Sequence, residues 1–208
     1  MLGRSFEMVN WDKRYAEAGQ PMFGGVPNVY IVQTLARPDF EARSALCLAD
    51  GDGRNGRYLA KQGLAVTGVD LSTVGTEQAI ALDASAGVDV ERIAADLSEW
   101  QPEKERRWGS AFMTYLHCER EVRQRAVEVA AAHLEPGGWF VAEGFAADFG
   151  DGPRMGPGDP DLLYDVADFD KWLAGFELVE ALRGTIRLQE GSKHQGLAQV
   201  VRYAARRG

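Results

Sequence analysis

Cysteine is scarce in this chain: two residues among 208, Cys47 and Cys118, neither in a C-x-x-C pair nor beside a histidine at zinc-ligand spacing. That scarcity excludes a disulfide framework and a structural zinc site, and no metal is expected. Positive charge is short too, with 23 Lys and Arg against 31 Asp and Glu, a formal net charge of −8. Nucleic-acid binders present a basic face, so no nucleic-acid partner is expected. Long apolar runs are missing as well. No segment approaches the ~18 consecutive apolar residues of a membrane span. The opening "MLGRSFEMVNWDKRY" holds no apolar core of a secretory leader. These absences point to a reduced, cytoplasmic chain with no membrane partner. What is present, 45% hydrophobic and 26% charged residues, is ordinary for a globular domain. The length suits one full α/β domain and is short for two.

Patterning along the chain alternates between short apolar runs and helical periodicity. "NWDKRYAEA" (Asn10 to Ala18) reads as a helix with Asn10 as its cap, and "VYIVQTLA" (Val29 to Ala36) as a second, closed by Arg37-Pro38. "SALCLA" (Ser44 to Ala49), "LAVTGVD" (Leu64 to Asp70), "VDVERIAAD" (Val88 to Asp96), "GSAFMTYL" (Gly109 to Leu116) and "WFVAEGFA" (Trp139 to Ala146) read as strands. Helices are expected between them: "GRYLAKQG", then Ser72 to Gly87 with a serine cap, and Glu119 to Leu134, with "EPGG" (Glu135 to Gly138) turning the chain. The segment Ala147 to Asp161 carries four Gly and three Pro and reads as a loop. After a helix over Val166 to Gly175, two β-like runs flank "QEGSKHQG". Strands alternating with helices predict a doubly wound, mostly parallel sheet, and two closing strands predict an antiparallel hairpin at one edge.

In such sheets the ligand site lies at the loop after the first strand. Here that loop is "ADGDGRNGRY", a G-x-G-x-x-G (Gly51, Gly53, Gly56) with Asp70 placed 19 positions after the first glycine. Glycine lets the backbone turn sharply and approach a ligand, and an acid at the end of the second strand accepts hydrogen bonds from vicinal ribose hydroxyls. That pattern fits both dinucleotides and adenosyl cofactors. Asp50 and Asp52 add carboxylates to the loop, unfavourable beside a pyrophosphate and favourable beside a sulfonium and an ammonium group. The charge argument favours S-adenosylmethionine.

At these residues the chain resembles the class I S-adenosylmethionine-dependent methyltransferases, and within them the branch of the tellurite-resistance and thiopurine methyltransferases. "WDKRY" with "FGGVPN", the segment "LADGDGRNGRYLAKQGLAVTGVDLS", the turn "AADLSEW", the strand "HLEPGGWFVAEGF", and the C-terminal "GPGDPDLLY" and "QEGSKHQGLAQVVRYAAR" occur in family order from about Trp11 to Arg206. The resemblance implies a Rossmann-like α/β fold with a seven-stranded sheet and helices on both faces. It implies one domain over 1–208, with 1–40 a helical cover and 147–165 a lid-like loop. It departs at one place: Cys47 and Ala49 stand where the family carries an acid and a glycine.

By that resemblance Ala49, Asp50, Gly51, Gly53, Arg54 and Asn55 approach the cofactor, Asp70 holds its ribose, and Leu71, Asp96 and Leu97 frame its adenine. Trp11 and Tyr15, four apart on one helical face, and Tyr115 complete the cofactor set. Phe23, Arg154, Tyr164 and Glu190 are candidates for binding a small-molecule acceptor, and His117 and His194 for a catalytic base. A thiol or other chalcogen nucleophile needs little acid–base help, whereas a hydroxyl or carboxyl acceptor needs such a base. Two alternatives stay open: a non-catalytic module that binds S-adenosylmethionine, and a nicotinamide-dependent oxidoreductase. A monomer or small homo-oligomer is expected.

Overall fold

The computed structural model describes residues 9–18, 21–147, 152, 155–191 and 194–208, with the side chain of His194 outside that set. Among the described residues, six helices and seven strands follow in the order α1 Trp11–Ala18, α2 Val29–Leu35, β1 Ser44–Leu48, α3 Arg54–Lys61, β2 Ala65–Asp70, α4 Thr73–Ala86, β3 Glu91–Ala94, β4 Trp108–Thr114, α5 Arg120–Ala132, β5 Leu134–Phe145, α6 Val166–Trp172, β6 Glu177–Glu190 and β7 His194–Arg206. A short 3-10 turn over Pro160–Leu162 precedes α6.

The caps follow from side-chain chemistry. Asn10 Oδ1 accepts from Lys13 N at 2.9 Å, Asn28 Oδ1 from the Tyr30 and Ile31 amides, and Ser72 Oγ from Gly75 N. Gly87 closes α4 in the left-handed conformation that a helix C-terminus favours. The apolar runs of β1 and β4 are buried along nearly their whole length, as strands covered on both faces must be.

The sheet order is β3-β2-β1-β4-β5-β7-β6. The first five strands are parallel, and β7 pairs antiparallel with both β5 and β6, so the hairpin enters with its second strand inward. On one face α5 and α6 pack over Leu46, Leu48, Met113, Phe140 and Tyr203. On the other, Tyr30 and Ile31 of α2 and Leu59 of α3 pack over Cys47, Phe112 and Val141.

Several element ends shift by a few residues from the sequence reading, and two differences matter for the sheet. The "EPGG" turn lies inside β5: Leu134 pairs with Trp108, then the register shifts so that Trp139 pairs with Ser110, and Gly137 takes φ +74° in between. A glycine-supported bulge absorbs the extra residues without ending the strand. The hairpin strands also run further than expected, pairing as far as Glu190 with His194, because backbone pairing does not depend on apolar side chains and Glu190 is held inside by Arg54.

Candidate active site

A cavity of about 620 Å³ opens at the C-terminal ends of β1, β2, β3 and β4 and is covered by α1. That is the crevice where open α/β sheets hold ligands. Its wall joins Ala49 to Asp52 after β1, Asp70 to Ser72 at β2, Asp96 to Ser98 after β3 and Thr114 to Glu119 after β4.

Asp70 is aimed by backbone donors. Its Oδ2 accepts from Gly51 N and its Oδ1 from Ser72 N, both at 2.8 Å. Burial pushes its carboxyl up to about 6, with Asp50 and Asp52 adding to the rise and the two amides opposing it. Leu71 beside it is 50% exposed, an apolar side chain left open at the cavity rim. Asp96 turns the chain after β3, with its Oδ1 accepting from Ser98 N at 2.8 Å. Asp12 of α1 accepts from Ser72 Oγ at 2.6 Å, which docks the cover helix onto the start of α4. Tyr15 is buried against Gly51 and Gly75 and also lines the cavity. A Cβ at Gly51 would lie 2.1 Å from Tyr15 Oη, so this glycine seats the tyrosine. Trp11 lines the same wall, its ring 6.2 Å from that of Tyr15.

The loop acids are spoken for. Asp50 turns beneath the loop, where its carboxylate accepts from Gly56 N at 3.1 Å and from Arg92 Nη1 at 2.5 Å. Asp52 accepts from Met22 N at 3.0 Å, and burial raises its pKa. Asp50 lines the cavity wall while its charge is matched by the buried Arg92 guanidinium.

Behind the β4 end lies a second polar network. Glu143 is fully buried on β5 and accepts from Tyr115 Oη at 2.8 Å, Asn28 Nδ2 at 2.6 Å and Arg202 Nε at 2.6 Å. Glu190 accepts from Arg54 Nη2 at 2.7 Å and from the same Asn28 amide at 3.1 Å. Two carboxylates and two guanidiniums thus balance in charge, the arrangement that makes buried ions tolerable. Tyr115 holds φ +55° at the end of β4, a left-handed conformation that a bulky residue adopts only when its surroundings impose it. Burial and Glu143 push its phenol pKa well above the usual value. The His117 ring stacks on Phe145 at 5.2 Å, and its Nδ1 bonds Leu162 O at 2.9 Å. A carbonyl only accepts, so Nδ1 carries the hydrogen and Nε2 is the basic nitrogen of the neutral ring.

Of the residues singled out from sequence, Ala49, Asp50, Gly51, Arg54, Asn55, Asp70, Leu71, Asp96, Leu97, Tyr115, Trp11, Tyr15, Phe23 and His117 share the cavity wall. Gly53 lies under the loop as the left-handed start of α3, outside the wall. Glu190 and Tyr164 are also outside it. Glu190 is buried against Arg54, and Tyr164 stands behind β4, its hydroxyl accepting from Leu116 N at 3.0 Å. Arg154 and the His194 side chain lie outside the described residues. Arg92, Asp83, Asn28, Glu143 and Arg202 were not singled out. The only signal for Glu143 was a charge inside an apolar strand, and alternation across a parallel strand gave none for Arg92. Among the described residues, no group of three or more His, Cys, Asp or Glu is placed to hold a metal, and no helix is long and apolar enough to cross a membrane.

Residues 45–138 match a family described as a methyltransferase domain. No curated protein sequence matches the chain. Among solved structures, one studied for the conversion of a disulfide bond into a thioacetal group during echinomycin biosynthesis superposes with a TM-score of 0.74. It shares 18% identity, over 95% of this chain and 90% of that one. TehB from Haemophilus influenzae gives 0.70 at 16% identity, over 87% of this chain and 62% of that one. Magnesium protoporphyrin IX methyltransferase from Synechocystis, solved with bound S-adenosylmethionine, gives 0.63 at 15% identity, over 86% and 77%. The shared architecture is the class I methyltransferase fold.

Proposed function

We infer, taking residues 45–138 as a methyltransferase domain on a class I fold, that this chain is a methyltransferase whose cofactor is S-adenosylmethionine, and we propose a small-molecule nucleophile as the methyl acceptor. The observation that carries the reading is Asp70: a carboxylate fixed by two amides at the cavity rim, next to an exposed Leu71. Its remaining lone pairs suit two ribose hydroxyls, and Leu71 with Leu97 offers an apolar slot for a base, closed by Asp96 as acceptor for an exocyclic amine. Tyr15 and Trp11 lie over the loop and shield the cofactor from water.

When bound, the cofactor supplies a methyl group already activated on a sulfonium. The chain's own contribution is alignment, and the acceptor end of the wall is rigid where alignment matters: Tyr115 is held by Glu143, and His117 by Leu162 and Phe145. A thiol or heavier chalcogen acceptor suits this wall because it transfers readily without a strong base. For an acceptor that must lose a proton, His117 Nε2 is the base. Phe23 adds an apolar side chain to the same wall.

The test is calorimetric titration with S-adenosylmethionine, S-adenosylhomocysteine, NAD and NADP. Micromolar binding of the adenosyl ligands alone supports the reading, and loss of that binding in Asp70→Ala places it at this cavity. Binding of NAD or NADP in preference would overturn it in favour of hydride chemistry.

A further inference from the structure

Glycines in and around the loop after β1, one of them in β2, make room for a side chain that comes from elsewhere. A Cβ at Gly53 would lie 2.4 Å from Arg92 Nη2, one at Gly68 would lie 2.4 Å from Arg92 Nη1, and one at Gly56 would lie 2.5 Å from Asp50 Oδ2 and 3.1 Å from Arg92 Nη1. Arg92 belongs to β3, two strands away from β1 in the sheet. Its side chain is 3% exposed and reaches under the loop to four acceptors: Asp50 Oδ2 at 2.5 Å, Asp83 Oδ2 at 2.8 Å and Oδ1 at 3.3 Å, and Gly53 O at 3.1 Å. Arg57 closes the cluster on the other oxygen face of Asp83, with Nε at 2.9 Å. Two arginines and two aspartates cancel, so the guanidinium is buried without an unmatched charge.

This cluster answers a mechanical need. Ala49, Gly51 and Gly53 all have positive φ, a conformation the loop does not hold by itself. Asp70 pins it from the cavity side through Gly51 N, and Arg92 pins it from beneath through Asp50 and the Gly53 carbonyl. Cys47, fully buried, offers no carboxylate for the purpose.

We propose that Arg92 is a positioning residue for cofactor binding: it sets the height of the Ala49–Gly53 loop against the amino-acid tail of the cofactor. The proposal rests on the cofactor reading above. The adenosine half is held mainly by Asp70, Leu71, Asp96 and Leu97, so loss of the clamp falls on the tail.

The experiment compares S-adenosylhomocysteine with 5′-methylthioadenosine, which lacks the amino-acid tail, by calorimetry, alongside thermal melting. In Arg92→Met, S-adenosylhomocysteine binds about tenfold or more weakly, while 5′-methylthioadenosine changes by less than about threefold. Arg92→Lys keeps the charge but cannot bridge Asp50, Asp83 and Gly53 together, and shows the same preference at a smaller size. If Arg92→Met does not fold, Arg92→Lys carries the test. Equal weakening of both ligands, or lowered melting with unchanged affinity, assigns Arg92 a structural role and overturns the proposal. A wild-type protein that binds neither ligand overturns the cofactor reading itself, a different result from either.

Discussion

If Asp70 holds the ribose as proposed, acidifying the solution should loosen S-adenosylhomocysteine. Burial raises this carboxyl to about 6, and the ionised form is the one that accepts two ribose hydroxyls strongly. At pH 7 about nine-tenths of the sites are ionised and at pH 5 about one-tenth, so the apparent dissociation constant for S-adenosylhomocysteine rises about tenfold between them. Binding near pH 6 also releases about half a proton, which appears as a dependence of the measured enthalpy on the buffer's ionisation heat. The groups facing Asp70 are Tyr15, Asp50, Asp52 and the Gly51 and Ser72 amides. Neither the tyrosine, whose pKa burial raises, nor the amides titrate in this window. His117 is a second candidate cavity group, so His117→Gln serves as the control. Asp70→Asn should bind weakly with a flat profile. An affinity independent of pH in the wild type, or a slope that survives Asp70→Asn and vanishes in His117→Gln, would refute the reasoning. The same shift acts on stability with the opposite sense. A carboxyl whose pKa is raised on folding stabilises the fold below the unfolded value near 4, and this is lost as pH rises through about 6. The loss is on the order of 3 kcal/mol.

Ala49→Gly removes a Cβ from a residue at φ +54° and should stabilise the protein by about 1 kcal/mol, the left-handed strain exceeding the added chain entropy. A melting temperature unchanged or lowered counts against it. Glu143→Ala strands Arg202, Asn28 and Tyr115 in the interior and should cost about 3–5 kcal/mol, read by urea denaturation. A loss under ~1 kcal/mol would mean that the network relaxes into solvent.

The order of the elements was readable because each short apolar strand and each capped helix obeys a local rule. Asn10, Ser72 and Gly87 act at the ends where their chemistry assigns them. The cavity wall was readable for the same reason, since Gly51, Asp70 and Leu71 lie on one strand–loop–helix–strand unit. Interactions between distant segments left no local trace. Arg92 meets Asp50 across 42 residues, Asn28 meets Glu143 across 115, and Arg54 meets Glu190 across 136. Glu190, a sequence candidate for the acceptor, is paired with Arg54 inside the fold, since a buried guanidinium needs a carboxylate beside it. The bulge at Glu135 to Gly138 was hidden by turn-forming composition, which says that a chain can bend and not that its strand must stop.

The position of β7 between β5 and β6 has a bearing on how the chain reaches this structure. During synthesis β5 is complete some fifty residues before β7, and until β7 arrives the parallel part of the sheet carries a bare edge. Bare edges invite pairing with other chains, and a charge pointing from such an edge discourages it. Glu143 lies on that edge, and its partner Arg202 is carried by β7 itself. When β7 docks, its arginine meets this carboxylate, so the strand that covers the edge also carries the charge that balances Glu143.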